Sequence, residues 1–350
     1  MVKTNNSKKI KIGNTYIGGG QKIAIQSMLN VPSYDVVENI KQAKLLEESG
    51  CDIIRVAIPD EAAVQLISAI KNVITIPLVA DIHFDYRLAI KSVLAGADKI
   101  RINPGNIGSK NCIKQVVDAC KMNNVPIRIG VNSGSLEEPI LKKYKKCSPQ
   151  AMVESAMNHI KLLEEFNFNN IVVSLKCSNV VDTVESYKLI SQKINYPLHL
   201  GVTEAGTIKT GVIKSSIGIG SLLLMGLGDT IRVSLTANPV EEVYIAKQIL
   251  KYAGYTKGGV EIVACPTCGR TRINIIELAN IVEQKLVNVN KNIKVAIMGC
   301  VVNGPGEAKD ADIGIAGGDG CAILFKKGKI IKKVLEENII EELIQEINKM

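Results

Sequence analysis

The feature that most constrains this chain is a word pattern repeated through its first 235 residues. Short β-branched runs recur there: Ile23–Met28, Ile53–Ala57, Leu78–Ile82, Lys99–Asn103, Ile127–Val131, Ile171–Leu175, Leu198–Val202 and Thr230–Leu235. Helix-period stretches lie between them, among them Val36–Glu48, Ala62–Lys71, Ile113–Met122, Ala151–Phe166, Thr183–Lys193 and Val240–Ala253. Ser148 and Pro149 give one of these helices a start signal, a capping hydroxyl followed by proline at the first helical position. Eight strands alternating with helices predict a (β/α)8 TIM barrel. A doubly wound sheet is the runner-up, but it usually has fewer strands, and no GxGxxG follows the first run.

After Ala253 the pattern changes, and Gly254, Gly258 and Gly259 mark a boundary. We place a barrel over residues 1–255 and a small α+β domain over 256–350. The second segment holds a helical run at Ile273–Leu286 and strands at Val295–Met298, Ile313–Ala316 and Ala322–Phe325. It closes with an amphipathic helix, read from Val334, Leu335, Ile339, Ile340, Leu343, Ile344 and Ile347 on one face.

Four of the barrel runs carry the same internal word: IIRVA, KIRIN, PIRIG and TIRVS. Arg55, Arg101, Arg128 and Arg232 therefore sit among β-branched residues, where a guanidinium is costly to bury unless something pairs with it. Strand alternation puts Arg101 with Asn103, Arg128 with Asn132, Ser174 with Lys176, and Arg232 with Ser234. All lie toward strand C-termini, the end where barrel enzymes build their sites. Four arginines and a lysine converging there form a positive funnel, and forked guanidinium groups suit phosphate oxygens. A diphosphate or bisphosphate is the economical ligand. The competing reading pairs the arginines with barrel acids such as Asp81 or Glu204. The third strand also brings Asp81 and His83 to this end, and the seventh brings Glu204, a candidate general acid/base. His199 reads as core, and His159 as surface packing of a helix.

The second segment has three cysteines in a suggestive pattern, Cys265 and Cys268 in ACPTCGR and Cys300 in MGCVVNGPGEA. The CxxC spacing lets one loop bite a metal with two thiolates. Structural zinc needs a fourth Cys or His, and no His follows His199. Cys321 could be that fourth ligand, though GGDGCAILF reads as a turn into a buried strand. The remaining reading is a [4Fe–4S] cluster on three thiolates with one open iron, useful as a Lewis acid and an electron relay. Glu307, on the Gly/Pro-rich turn after Cys300, could approach that iron.

Composition narrows the classes. Lys and Arg number 43 against 34 Asp and Glu, a net charge of +9, yet no basic run with interleaved aromatics argues for nucleic acid. The start lacks an apolar signal segment, and the longest apolar run, Ile217–Leu227, is too short and glycine-rich to span a bilayer. Nine cysteines in that context predict free thiols in a reducing cytoplasm, with no membrane partner.

The chain closely resembles the bacterial 4-hydroxy-3-methylbut-2-enyl diphosphate synthase family of the non-mevalonate isoprenoid pathway. The resemblance runs almost end to end, through IQSMLN, LVADIHFDYR, RINPGNIG, RIGVNSGSLE, HLGVTEAG, GDTIRVSL, ACPTCGR and GCVVNGPGEA. It implies a TIM barrel followed by a [4Fe–4S] domain, in the two-domain type without a large insert. It implies reductive ring opening of 2-C-methyl-D-erythritol 2,4-cyclodiphosphate, in which two electrons enter and a hydroxyl leaves as water. Matching motifs place cluster ligands on Cys265, Cys268, Cys300 and Glu307. They place diphosphate contacts on Arg55, Arg101, Arg128, Lys176, Asn132 and Ser234, with Arg232, Asn103 and Asp81 nearby. Glu204 matches the family's acid near the reacting carbons. The resemblance further implies a head-to-tail homodimer and flavodoxin or ferredoxin as electron donor. A non-catalytic iron–sulfur or zinc sensor of an anionic metabolite, or a phosphosugar lyase with a zinc tail, would account for fewer of these residues.

Overall fold

A computed structural model describes residues 7–256, 259–286, 289, 291–300 and 308–350. The chain divides into two compact units, Met1–Tyr255 and Thr256–Met350. In the first unit a short hairpin, β1 (Ile10–Ile12) and β2 (Thr15–Ile17), precedes eight parallel strands. These are β3 (Ala24–Met28), β4 (Ile53–Ala57), β5 (Leu78–Asp81), β6 (Lys99–Ile102), β7 (Ile127–Asn132), β8 (Ile171–Lys176), β9 (His199–Leu200) and β10 (Thr230–Ile231). The hydrogen-bonded order runs β8-β7-β6-β5-β4-β3-β10-β9, and a Val173–Leu198 bridge joins its two ends. The sheet is therefore a closed barrel.

The register confirms the barrel type. Following paired residues once round from Gln26, through β4 to β10, returns to the level of Gly18. That stagger of eight residues is the shear of a TIM barrel. The stagger also sorts the inward side chains into layers drawn from alternate strands. Ile53, Lys99, Val172 and Thr230 share one layer; Gln26, Val79, Arg128 and His199 the next. Arg55, Arg101, Ser174 and Arg232 come above these, then Met28, Asp81, Gly130 and Gly201. The lower end is plugged by the hairpin, whose Ile10, Ile12 and Ile17 pack on Ala24, Ile53, Val79 and Val172. A TIM barrel is ordinarily filled with branched apolar side chains; here apolar filling stops at the lower layers and charge begins.

The helices of this unit are α1 (Val36–Glu48), α2 (Gln65–Lys71), α3 (Tyr86–Leu94), α4 (Lys110–Met122), α5 (Glu138–Tyr144), α6 (Pro149–Glu165), α7 (Val180–Ser191), α8 (Ile208–Leu224) and α9 (Pro239–Tyr252). They cover the outer face of the strands through a continuous aliphatic core that includes Ile54, Leu66, Ile100, Val117, Ile129, Leu163 and Leu222. Ser148 caps α6 by accepting from the amide of Ala151, and Pro149 opens it, as the start signal predicts. His159 corrects our expectation: it is a buried α6 residue ion-paired to Glu137, not surface packing.

The second unit is a five-stranded mixed sheet in the order β11 (Val260–Ala264), β12 (Ile293–Met298), β13 (Ile313–Gly318), β14 (Cys321–Lys326), β15 (Lys329–Leu335). The first three are parallel and the last two antiparallel. Helices α10 (Ile275–Leu286) and α11 (Ile339–Asn348) pack on it through Leu278, Val282, Leu343 and Ile347. The closing helix is shorter than its sequence face suggests, because Val334 and Leu335 belong to β15. Leu335, nominally on the apolar face, is exposed. Among the described residues no helix is long and apolar enough to cross a membrane.

Candidate active site

The barrel interior gathers six cations, with Lys99 lowest and Arg55, Arg101, Arg128, Lys176 and Arg232 above it, against two buried acids, Asp81 and Glu242. Asp81 is the hub. Its carboxylate accepts from Arg55 Nη2 at 2.6 Å and Arg101 Nη1 at 3.1 Å, and it meets His83 Nε2 at 3.0 Å. Burial alone would raise its pKa, but Arg55, His83 and Arg101 outweigh it and hold the carboxyl well below the usual carboxylate range. Glu242, from α9, accepts from Arg232 Nη2 at 3.2 Å, Ser27 Oγ at 2.8 Å and the amide of Leu235 at 3.1 Å. The expectation that barrel acids pair the arginines thus holds for Arg55 and Arg101, names the wrong partner for Arg232, which meets a helix acid, and fails for Arg128.

Arg128 is different. It is 1% exposed, and its Nε and Nη1 have no hydrogen-bond partner among the described residues. Burial, then Arg55 and Arg101, push its pKa down, but a guanidinium stays protonated in proteins. Lys176 is likewise buried, and burial followed by Arg128, Arg232, Arg55 and Arg101 pushes its pKa well below the ordinary lysine value. Two glycines make room for these chains. A Cβ at Gly130 would meet Arg101 Nε at 2.6 Å, and one at Gly201 would meet Lys176 Nζ at 2.7 Å. A buried charge with unsatisfied donors is expensive unless a ligand completes it. This layer is built to be finished by an anion.

Above it opens a cavity of about 540 Å³, lined by His83, Arg101, Asn103, Asn132, Ser135 and Glu204, among others. Asn103 Nδ2 donates to Ser135 Oγ at 3.2 Å, which fixes the loop after β7. Asn132 ends β7, so the strand does continue to it and it shares the inward face with Arg128. Glu204 has φ +51, in the left-handed region that a side chain with Cβ rarely adopts. The fold holds this exposed carboxylate at the cavity rim against that preference. Ser234 follows the short strand β10 at the same end. A larger groove of about 690 Å³ lies on the outside between α8 and α9, but its walls, such as Ile217, Leu224 and Tyr252, are largely apolar. The convergent polar groups are at the mouth, which we take as the site.

Sequence reading missed Lys99, Gln26 and Glu242. Strand alternation from Arg101 would have put Lys99 on the inward face; nothing local marks Glu242, which reaches the mouth from a helix.

The pairing at Asp81 carries a prediction. Its folded pKa lies below the unfolded value, so its stabilisation is complete above the unfolded pKa and disappears as pH falls through the folded one. Asp81→Asn strands two buried guanidinium groups and is expected to cost about 3–5 kcal/mol at neutral pH. Denaturant unfolding should show the gap between wild type and variant closing in acid.

In the second unit, β11 pairs Ala264 with Ile297 of β12, so Cys265 leaves one strand beside the end of the next. Cys265 Sγ accepts from the amide of Gly299 at 3.2 Å, one residue before Cys300. Cys268 is exposed on the following loop; hydrogen bonds from Arg270, backbone first, push its thiol pKa down. All three thiols are free. Among the described residues no three Cys, His, Asp or Glu side chains converge closely enough to hold a single metal ion. Glu307 lies outside the described residues. Cys321 begins β14 opposite Leu335, consistent with a turn into a strand. The donor set fits a thiolate-bound cluster: free thiols on neighbouring strand ends, one accepting a backbone N–H and one biased toward thiolate.

Fold and site together define a TIM-barrel enzyme with a cation-rich mouth and an appended thiol-bearing domain. The chain matches the family description "GcpE TIM-barrel domain" over residues 7–247 and "GcpE protein C-terminal domain" over 261–349, and it belongs to the GcpE family. It is similar to the 4-hydroxy-3-methylbut-2-en-1-yl diphosphate synthase (flavodoxin) of Caldanaerobacter subterraneus subsp. tengcongensis, 61% identical over 98% of this chain and 97% of that one. The protein of the same name from Clostridium acetobutylicum is 58% identical over 98% and 99%. Among solved structures it is similar to Yersinia pestis dihydropteroate synthase, with TM-score 0.51 and 13% identity, covering 71% of this chain and 99% of that one. The 3-dehydroquinate dehydratase of Geobacillus kaustophilus HTA426 gives TM-score 0.51 at 14% identity, covering 72% and 100%. At such low identity these two speak for the barrel fold alone.

Proposed function

We propose that this protein opens the ring of 2-C-methyl-D-erythritol 2,4-cyclodiphosphate reductively, giving (E)-4-hydroxy-3-methylbut-2-enyl diphosphate and water, in isoprenoid precursor synthesis. The observation that carries the reading is Arg128, a buried guanidinium whose Nε and Nη1 have no partner among the described residues, among cations that outnumber their acids. A diphosphate is the ligand that completes this layer through bidentate, charge-assisted hydrogen bonds. Arg55, Arg101, Arg128 and Lys176 bind it, with Asn103, Asn132, Arg232 and Ser234 beside them. Asp81 keeps Arg55, Arg101 and His83 in position.

Ring opening breaks a carbon–oxygen bond to phosphate and expels a hydroxyl as water. The two electrons cleave the carbon–oxygen bond and form the alkene, and the departing hydroxyl needs a proton donor to leave as water. We assign that proton to Glu204, supported by its place at the cavity rim. Glu204→Gln is expected to lower kcat by about 100- to 10,000-fold while leaving substrate affinity and iron content near wild type. Steady-state assays beside iron analysis check this.

Cys265, Cys268 and Cys300, with Glu307, would hold a [4Fe–4S] cluster, which when bound supplies electrons one at a time. Flavodoxin is the donor we infer, from the name the relatives carry, with ferredoxin the alternative; a head-to-tail homodimer belongs to the same reading. Iron and sulfide analysis of anaerobically prepared protein tests it. About four of each per chain supports it, whereas zinc without sulfide favours a metal-bearing sensor.

A further inference from the structure

Lys99 is the deepest charged group in the barrel, in the layer below Arg128 and His199. It is fully buried, and its Nζ has no hydrogen-bond partner among the described residues. Beneath it the hairplug of Ile10, Ile12 and Ile17 offers no acid. Around it positive charges outnumber negative ones, and both acids are already engaged. From β7 comes Arg128, from β4 Arg55, from its own strand Arg101, from β8 Lys176 and from β10 Arg232. Asp81 on β5 is engaged by Arg55, Arg101 and His83, and Glu242 by Arg232 and Ser27. On β9, His199 is tied to Thr230 Oγ1 at 2.7 Å, and burial, followed by Arg128, Lys176 and Lys99, favours its neutral form. Gln26 on β3 is uncharged.

We propose that Lys99 is a neutral amine in the empty barrel and takes up a proton when the anionic substrate enters the mouth above it. Lys99 is then a further positioning residue of the anion site, acting through charge rather than contact. Burial comes first, then Arg128 and Arg55, in driving its pKa well below the ordinary lysine value. The arginines cannot relieve the crowding of positive charge, because guanidinium groups do not deprotonate in proteins. A lysine can. A dianion in the mouth offsets most of that excess positive charge and favours the ammonium. The inference rests on the proposed substrate, and that substrate also makes it measurable. Each phosphorus of the cyclic diphosphate carries only one strongly acidic hydroxyl, ionised at neutral pH, so any proton taken up goes to the protein.

The experiment is calorimetric titration of anaerobically prepared full-length protein, without reductant, using the cyclic diphosphate in buffers of different ionisation enthalpy. Wild type is expected to take up about one proton between the free and bound pKa of Lys99. Over that window affinity should weaken up to about tenfold per pH unit as pH rises. In Lys99→Met, and in Lys99→Gln as a second variant, uptake should vanish and affinity should become flat with pH. Neither variant should lower Tm, since each removes a buried amine without an acceptor. Binding without proton uptake in wild type overturns the inference while leaving the functional reading in place. Undiminished uptake in both variants also overturns it, assigning the proton to Lys176. Absence of any binding overturns the functional reading and this inference with it.

Discussion

Arg128→Met is expected to reduce kcat/KM for the cyclic diphosphate by about a thousandfold, with little change in Tm. The two halves of that result belong together. Truncating one member of a buried charged pair typically costs several kcal/mol of binding. About 4 kcal/mol corresponds to roughly a thousandfold. The protein itself should not suffer, because Nε and Nη1 of Arg128 bond nothing among the described residues. Replacing a buried, uncompensated charge by an apolar chain of similar length is neutral or stabilising. Steady-state kinetics beside a thermal melt separates this from a structural role. If Tm collapses together with activity, Arg128 supports the barrel rather than the substrate. Asp81→Asn makes the contrast, since it removes a partner the fold does use and should fail in stability first.

Cys300→Ser is expected to abolish turnover and strip most of the iron while substrate binding survives. Cys300 is buried at the end of β12, and the amide beside it already donates to Cys265 Sγ. Serine keeps the size of the side chain but is a far poorer ligand for iron in a sulfur-rich site. The proposed binding residues all lie in the first unit, so calorimetry with the cyclic diphosphate should give an affinity close to wild type. Iron retained at full stoichiometry with turnover intact would remove Cys300 from the ligand set.

Much of this was legible in the sequence, for identifiable reasons. The barrel follows from period-2 runs separated by helix-period stretches, a pattern that survives without knowledge of register. The inward direction of Arg101, Arg128 and Lys176 follows from strand alternation alone. Other features depend on contacts distant in sequence. Glu242 meets Arg232 from a helix and Ser27 from the opposite side of the chain, 215 residues away. The hairpin plug is built of three-residue strands, too short for a periodic signal. Helix α8 is apolar on most faces and carries glycines, so its run reads as apolar without declaring its period. Val334 and Leu335 fit a helical face by spacing, yet pairing with β14 claims them for a strand. Tertiary pairing there overrides local periodicity.

The apparent shortage of a fourth cysteine after Cys300 also looks different beside the barrel. The second unit offers three thiols, and the first offers a layer whose cations outnumber its acids. The proposed reaction draws on both.

The measurement that tests this account most directly is an anaerobic assay of the full-length protein with the cyclic diphosphate and a strong one-electron reductant. The account predicts reductant-dependent formation of (E)-4-hydroxy-3-methylbut-2-enyl diphosphate, two electrons consumed per product, lost in Cys300→Ser and nearly lost in Arg128→Met. Iron-replete, reduced protein that binds the cyclic diphosphate and returns it unchanged would contradict it.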